Sequence, residues 1–206
     1  MLSSHLQFQT KLSMSKAIYI ATTEAHSGKS LISIGLMHML LGKTAKVGYF
    51  RPIINDYPPG ERDNHINTIL SYFKLPQNYE DAYALTRSQL VEKNNQNKTD
   101  EVLDTIIKKY KALEEKFDFV LVEGTDFSGE GAIIEWDINV LTAKNLGIPT
   151  VIITSGTDKT LKELVGNLNL AYDSFTDNGV NVIMVVANKV QTENIALVND
   201  TLKKEL

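Results

Sequence analysis

The chain of 206 residues contains no cysteine. Disulfides, thiolate metal sites and cysteine nucleophiles are therefore excluded, and a cytoplasmic location is expected. No run of about 18 apolar residues occurs, so no membrane-spanning helix is expected. The opening stretch MLSSHLQFQTKLSMSK lacks the apolar core of a signal peptide. Basic residues are outnumbered, 21 Lys and Arg against 25 Asp and Glu, which leaves a net charge of −4. With no basic run either, general attraction to nucleic-acid phosphates is not expected. The single tryptophan, Trp136, and the tyrosines form no stripe and are expected in the core or lining a pocket. Four of the five prolines fall between residues 52 and 98.

What is present is ordinary for a water-soluble fold: 43% hydrophobic and 22% charged residues, enough for one domain with a sizeable core. Short apolar runs alternate with helical patterns. AIYIA (17–21), AKVGYF (45–50), FDFVLVEG (117–124), PTVIITSG (149–156) and VNVIMVVAN (180–188) read as buried strands. The second is expected to stop at Pro52. SLISIGLMHMLLG (30–42) reads as a helix ended by Gly42. Further helical patterns lie between the later strands. Strands that are continuous apolar runs, alternating with helices, predict a doubly wound, mostly parallel α/β sheet covered on both faces. Ligands of such sheets bind at the carboxyl ends of the strands. Residues 52–98 are expected to be an excursion beside that edge, helical only over about Asp63–Phe73. Residues 1–15 are expected to be a flexible extension, with Met1 or Met14 as the start, and 16–206 a single domain.

The stretch ATTEAHSGKS, Ala21 to Ser30, ends as a phosphate-binding loop ends. Strand, loop and helix follow in the order such a loop needs. Backbone N–H groups and the helix dipole at a helix N-terminus favour an anion. Gly28 admits close backbone approach, Lys29 has the reach for β- and γ-phosphates, and the Ser30 hydroxyl suits Mg²⁺. The strict pattern has glycine where this chain has Thr23. A Gly-Lys-Ser helix start without any ligand is the plainer alternative. Glu123 closes the apolar run FVLVE, where P-loop enzymes hold Mg²⁺. Asp63 begins a helix, and a simple N-cap explains it equally well. Arg51 follows the second strand and suits an anion bound bidentately. Asn188 and Lys189 follow the last strand, and an Asn there suits the edge of a purine. His26 is expected at the surface.

Taken together, IATTEAHSGKS, GYFRPI, ERDNH, LVEG and ANKV, in this order, resemble the dethiobiotin synthetase family of P-loop proteins. The likeness runs from about Lys16 to Val190. It implies a P-loop NTPase fold that binds ATP and Mg²⁺. Thr22 takes the family's Gly place, Thr23 its Thr place and Glu24 its Asp place. The implied nucleotide contacts are Thr23, Glu24, Ser27, Gly28, Lys29, Ser30 and Asn188, the last reading adenine. Ser30, Asp63 and Glu123 would surround the metal. On the acceptor side the family has Lys-Pro-Val where this chain has Arg51-Pro52-Ile53, and a glycine cradle where it has Thr125-Asp126-Phe127-Ser128. A bulky, acidic segment would fill that cradle.

FRPI, VEGTDF, TSGTDKTLKEL and ANKV are similar to a nearer branch, the amino-terminal domain of long bacterial phosphotransacetylases (phosphate acetyltransferases). That resemblance implies a regulatory, nucleotide- or metabolite-binding domain, part of a homo-oligomer and joined to a downstream acyltransferase domain. The parent reaction is acetyl-CoA plus phosphate to acetyl phosphate plus CoA. The acyl-transfer residues would lie beyond residue 206, making this chain a fragment without that activity. The alternative is an MgATP-dependent carboxylase or ligase of the synthetase type. A partition-type switch protein ranks last, because the loop lacks the additional early lysine. The plain alternative to all three is a P-loop fold that binds nothing and acts as a dimerising scaffold.

Overall fold

A computed structural model describes residues 16–125 and 132–205. In chain order the elements are β1 (Ala17–Thr22), α1 (Lys29–Leu41), β2 (Val47–Ile54), α2 (Asn64–Tyr72), β3 (Tyr83–Thr86), α3 (Arg87–Asn95), α4 (Thr99–Lys116), β4 (Phe119–Glu123), α5 (Ala132–Leu146), β5 (Thr150–Ser155), α6 (Leu161–Thr176), β6 (Val182–Asn188) and α7 (Ile195–Glu205). The strands form one six-stranded sheet in the order β3-β2-β4-β1-β5-β6. Every described pair of strands is parallel.

Side chains alternate between the two faces of each strand, so neighbours in sequence enter different cores. Tyr19, Phe50, Val122 and Ile152 pack on one face against Ile106 and Tyr110 of α4, Ile138 of α5, and Leu168 and Phe175 of α6. Ile20, Tyr49, Leu121 and Ile153 pack on the other against Met37 of α1 and Ile66 and Ile69 of α2. All of these side chains are buried. Trp136 packs edge-on against Phe175 and donates its indole N–H to Ser174, so it belongs to the core rather than to a pocket.

The helices start where local chemistry starts them. Asp63 caps α2 by accepting from the N–H of Ile66 at 2.9 Å. Thr86 with Gln89, and Thr160 with Glu163, form reciprocal capping boxes for α3 and α6. Gly28 stands at the N-cap of α1 with φ 92°, a left-handed conformation that costs glycine nothing. A Cβ added there would lie 2.1 Å from the Asn188 amide nitrogen.

Two sequence expectations need correction. Pro52 does not end the second strand; β2 continues to Ile54. Arg51 donates its N–H toward β3, to Ala82 O at 2.8 Å. The N–H that Pro52 lacks would face β4, beyond the last paired residues Phe50 and Val122, so no ladder bond is lost. Residues 52–98 are also no mere excursion. They supply the edge strand β3 and helix α3 as well as α2. The expected extension, residues 1–15, and the choice between Met1 and Met14 lie outside the described residues.

Strand order reverses at β1, which has β4 on one side and β5 on the other. In open parallel sheets that reversal opens a crevice at the carboxyl ends of the strands. The loop 23–28 lies in it.

Candidate nucleotide site

Thr23 leaves β1 with its N–H on Ile153 O at 3.0 Å, which carries the loop toward β5. Glu24 then anchors the loop's first turn. It accepts from the Ser155 N–H and the Lys159 ammonium, each at 2.5 Å, and from the Thr23 hydroxyl at 2.9 Å. Burial pushes the Glu24 carboxyl up, but Lys159 and these hydrogen bonds outweigh it and hold the pKa below the usual value. Thr23 and Glu24 are therefore fixed to the end of β5. The far side of the loop is clamped from the end of β6. Asn188 donates its amide to Ser27 O at 2.8 Å, and Lys189 its ammonium to His26 O at 2.6 Å. The amide N–H that the resemblance assigns to adenine is thus engaged by the loop itself.

Lys29 opens α1 and turns under the loop. Its ammonium donates to Gly124 O at 2.6 Å and lies 3.7 Å from Glu123. Both side chains are buried, at 3% and 1% exposure, so charge neutralises charge where water is scarce. Glu123 has further partners: the Tyr49 hydroxyl at 2.8 Å, His65 Nδ1 at 3.0 Å and Arg51 Nε at 3.7 Å. Burial pushes its carboxyl up, yet the Lys29 charge, the His65 hydrogen bond and the Arg51 charge prevail and hold it far below the usual range. Tyr49 moves the other way; burial and the Glu123 charge raise its hydroxyl, which stays a neutral donor.

His65 Nδ1 also lies 3.1 Å from Ser30 Oγ. One imidazole nitrogen thus bridges the Ser30 hydroxyl and the Glu123 carboxylate. Asp63 is held elsewhere. Its Oδ2 accepts from Arg51 at 2.6 Å and Tyr57 at 3.1 Å, while Oδ1 caps α2. The structure therefore brings Lys29, Ser30 and Glu123 together and places Asp63 in a buried ion pair with Arg51. His65, Tyr49, Tyr57 and Lys159 received no role from the sequence. His65 was visible inside ERDNH, but nothing in its spacing says that it reaches across to β4.

A cavity of about 450 Å³ opens above this cluster, lined by His26, Gly28, Lys29, Ser30, His65 and Lys189 among others. The Ser27 hydroxyl is buried in the loop without a hydrogen-bond partner among the described residues. An orphaned hydroxyl, a left-handed glycine and a helix N-terminus beside a buried lysine fit a phosphate group. For Mg²⁺, the oxygen donors that fit are Ser30 and Glu123. Among the described residues no three His, Cys, Asp or Glu side chains are grouped to hold a metal without further ligands.

The lysine anchor depends on Gly124. A Cβ there would stand 2.6 Å from Asn139 Oδ1, 2.8 Å from the Tyr19 hydroxyl and 3.0 Å from Ile20 O. Asn139 is already fixed by the Tyr19 hydroxyl at 2.6 Å and the Thr125 N–H at 2.9 Å. Gly124→Ala is expected to cost about 1–3 kcal/mol in a denaturant melt through overpacking. Asp126, Phe127 and Ser128, expected to fill the acceptor cradle, lie outside the described residues.

Glu123 also sets an expected pH dependence. A carboxylate with a depressed folded pKa stabilises the fold above its unfolded value, near 4.5, and the contribution is lost as pH falls toward the folded value. Unfolding free energies of the wild type and Glu123→Gln should therefore differ most near neutrality. The gap should narrow as the pH falls below 4.5. A gap independent of pH would show that Glu123 is not held in its charged form.

Residues 16–205 match the family model described as AAA domain. The chain belongs to that family. Its relatives include the phosphate acetyltransferase of Nitratidesulfovibrio vulgaris, 42% identical over 176 residues, which covers 85% of this chain and 25% of the relative. The phosphate acetyltransferase of Synechocystis sp. is 37% identical over 180 residues, covering 87% and 26%. An ATP-dependent dethiobiotin synthetase of Clostridium kluyveri is 30% identical over 122 residues, covering 54% of this chain and 49% of the relative. The chain thus spans about a quarter of the length of the phosphate acetyltransferases it matches.

Solved structures agree on the fold. An apo GTPase from Pyrococcus abyssi has a TM-score of 0.51 at 16% identity, covering 91% of this chain and 71% of that one. The chimerical protein CapA2B2 has a TM-score of 0.51 at 14% identity, covering 88% and 79%. At such identities they support the P-loop architecture alone. No described helix is long and apolar enough to cross a membrane.

Proposed function

We propose that this chain is the nucleotide-sensing P-loop domain of a cytoplasmic phosphate acetyltransferase, binding MgATP without turning it over. The observation that carries this reading is the split between the two halves of the crevice. On the nucleotide side a buried lysine, a serine hydroxyl and a strongly acidic carboxylate converge. On the acceptor side Arg51 is locked to Asp63 at 2.6 Å. A guanidinium is permanently charged and planar, so it does not replace an amine that must exchange protons with a carbamate.

In this reading Lys29 and the loop N–H groups hold the phosphates, and Ser30 and Glu123 hold Mg²⁺, which neutralises phosphate charge. His65 must then give up its bridge between those two ligands. The loop is tied to β5 through Glu24 and to β6 through Asn188 and Lys189. A bound nucleotide would favour one arrangement of these ties over another. That differential affinity would bias an acyl-transfer domain on the same polypeptide, within a homo-oligomer.

The dethiobiotin synthetase reading retains one point in its favour, the relative that carries that name and covers half of this chain. The two readings separate in a single assay. Purified chain is incubated with MgATP, bicarbonate and diamino acids, and ADP release is followed. The sensing reading expects no release above a Lys29→Ala control. Sustained, diamine-dependent release would establish the synthetase reading instead.

A further inference from the structure

His65 stands where a cation would stand. Its Nδ1 lies 3.1 Å from Ser30 Oγ and 3.0 Å from Glu123 Oε1, the two oxygen donors of the site that suit Mg²⁺. A carboxylate only accepts, so the ring nitrogen carries the hydrogen in its contact with Glu123. Mg²⁺ binds oxygen at about 2.0–2.1 Å, keeps several waters and demands near-octahedral space around it. A ring nitrogen bonded to both donors takes part of that space. The imidazole and a hydrated ion therefore compete for one position.

The backbone beneath this side chain is pinned. Asp63, at the cap of α2, is fully buried; it accepts from Arg51 at 2.6 Å, and its own N–H donates to the Tyr79 hydroxyl at 2.7 Å. Ile66, on the other side of His65, is fully buried in the core. Moving α2 as a body would break a buried ion pair, which is costly. The His65 side chain is not so held: it is 33% exposed and lines two cavities at once. One is the phosphate cavity beside Lys29. The other, of about 200 Å³, lies between α1 and α2 and is bounded by Ile34, Tyr49, Thr68 and Ile69. At about 30 Å³ per water it has room for several waters, and so for an imidazole ring. Rotation about the side-chain torsions can carry the ring off Ser30 and Glu123 while α2 stays in place.

We infer that His65 is a latch on the metal position: it ties Ser30 to Glu123 until a cation displaces it into the cavity between α1 and α2, and so sets how much a magnesium-bearing nucleotide gains over the bare one. The inference rests on the reading of this crevice as an MgATP site and adds a built-in competitor to it. The arriving ion must replace a hydrogen bond to a charged group. The phosphates, held by Lys29 and the loop, need no such exchange. The latch therefore lowers affinity for the metal and leaves that for the phosphates alone.

The test is calorimetry of the wild type, His65→Ala and His65→Asn, each with MgATP and with ATP in EDTA. Asparagine is the conservative change, because its amide nitrogen stands where Nδ1 stands and donates to a carboxylate. His65→Ala is expected to bind MgATP about tenfold more tightly than the wild type, the order of one surrendered hydrogen bond to a charged group. His65→Asn should stay within about threefold of the wild type, and in EDTA all should agree within about twofold. An alanine variant that binds MgATP where the wild type shows no heat would support the latch in its strongest form. Equal or weaker MgATP binding by His65→Ala would overturn it, the weaker case making His65 a support of the ion rather than its competitor. Tightening that persists in EDTA would overturn it too, assigning the effect to the phosphates. So would a gain in His65→Asn as large as that in the alanine variant. If His65→Ala does not fold, His65→Gln takes its place, since it fills the volume but carries its amide past the Nδ1 position. Binding of MgATP by the wild type without any gain in the variant sinks the latch alone. No binding by any of these proteins, all shown folded, sinks the MgATP reading and the latch with it.

Discussion

Lys29→Ala is expected to weaken MgATP binding by about 100-fold or more in calorimetry, because a buried, charge-assisted phosphate contact is worth about 2–5 kcal/mol. The structure makes the substitution informative. The Lys29 ammonium is nearly sealed from solvent and already oriented by Gly124 O and Glu123. Little ordering remains for a ligand to impose. The variant should still fold, since Glu123 keeps Tyr49, His65 and Arg51 around it. Far-ultraviolet circular dichroism and a melt would verify that. Equal affinity in the two proteins would mean that any bound nucleotide lies outside the loop.

The largest expected loss of stability belongs to Arg51→Met. Asp63 is fully buried and Arg51 is 4% exposed. The pair is expensive to desolvate, so its net worth is modest, but removing one member leaves a carboxylate without its cation. A loss of about 3–5 kcal/mol is expected. For a chain of this size that is a fall on the order of 10 °C in melting temperature. Tyr57 and the Ile66 N–H would remain on Asp63, but neither carries charge. The double variant Arg51→Met with Asp63→Asn should recover much of the loss, because the amide oxygen still caps α2 without a buried charge. A single variant that melts within 2 °C of wild type would show that the pair is not structural.

Much of this molecule is legible in its sequence. Strands β1, β2, β4, β5 and β6 announce themselves because each is an apolar run long enough to stand above its surroundings. β3 does not: Tyr83–Thr86 is four residues at a sheet edge, where burial demands little of a sequence. Helix α3 buries only Leu90 and so carries no apolar stripe to read. Pro52 misleads because a proline's effect depends on which neighbour its missing N–H would face, a property of register. Within the site, the loop residues could be read from Gly28-Lys29-Ser30. The partners that decide their state come from far along the chain. His65 lies 35 residues from Ser30 and 58 from Glu123, and Asn188 lies 161 from Ser27. Such pairings are set by how α2 and β6 pack, not by local spacing. Asp63 shows the consequence. Its position at a helix start fits both a cap and a metal ligand; the cap is seen in the Ile66 N–H bond, and the pairing with Arg51 is not visible in the sequence.

The central claim is that the buried Lys29 and Glu123, with the exposed Ser30 hydroxyl at the carboxyl edge of the sheet, form a working phosphate and magnesium site. Calorimetric titration of the wild-type chain with MgATP tests it most directly. The account expects saturable heat with about one nucleotide per chain, weakened when magnesium is chelated. No heat at millimolar MgATP, from protein shown to be folded, would contradict it and leave a P-loop scaffold that holds no nucleotide.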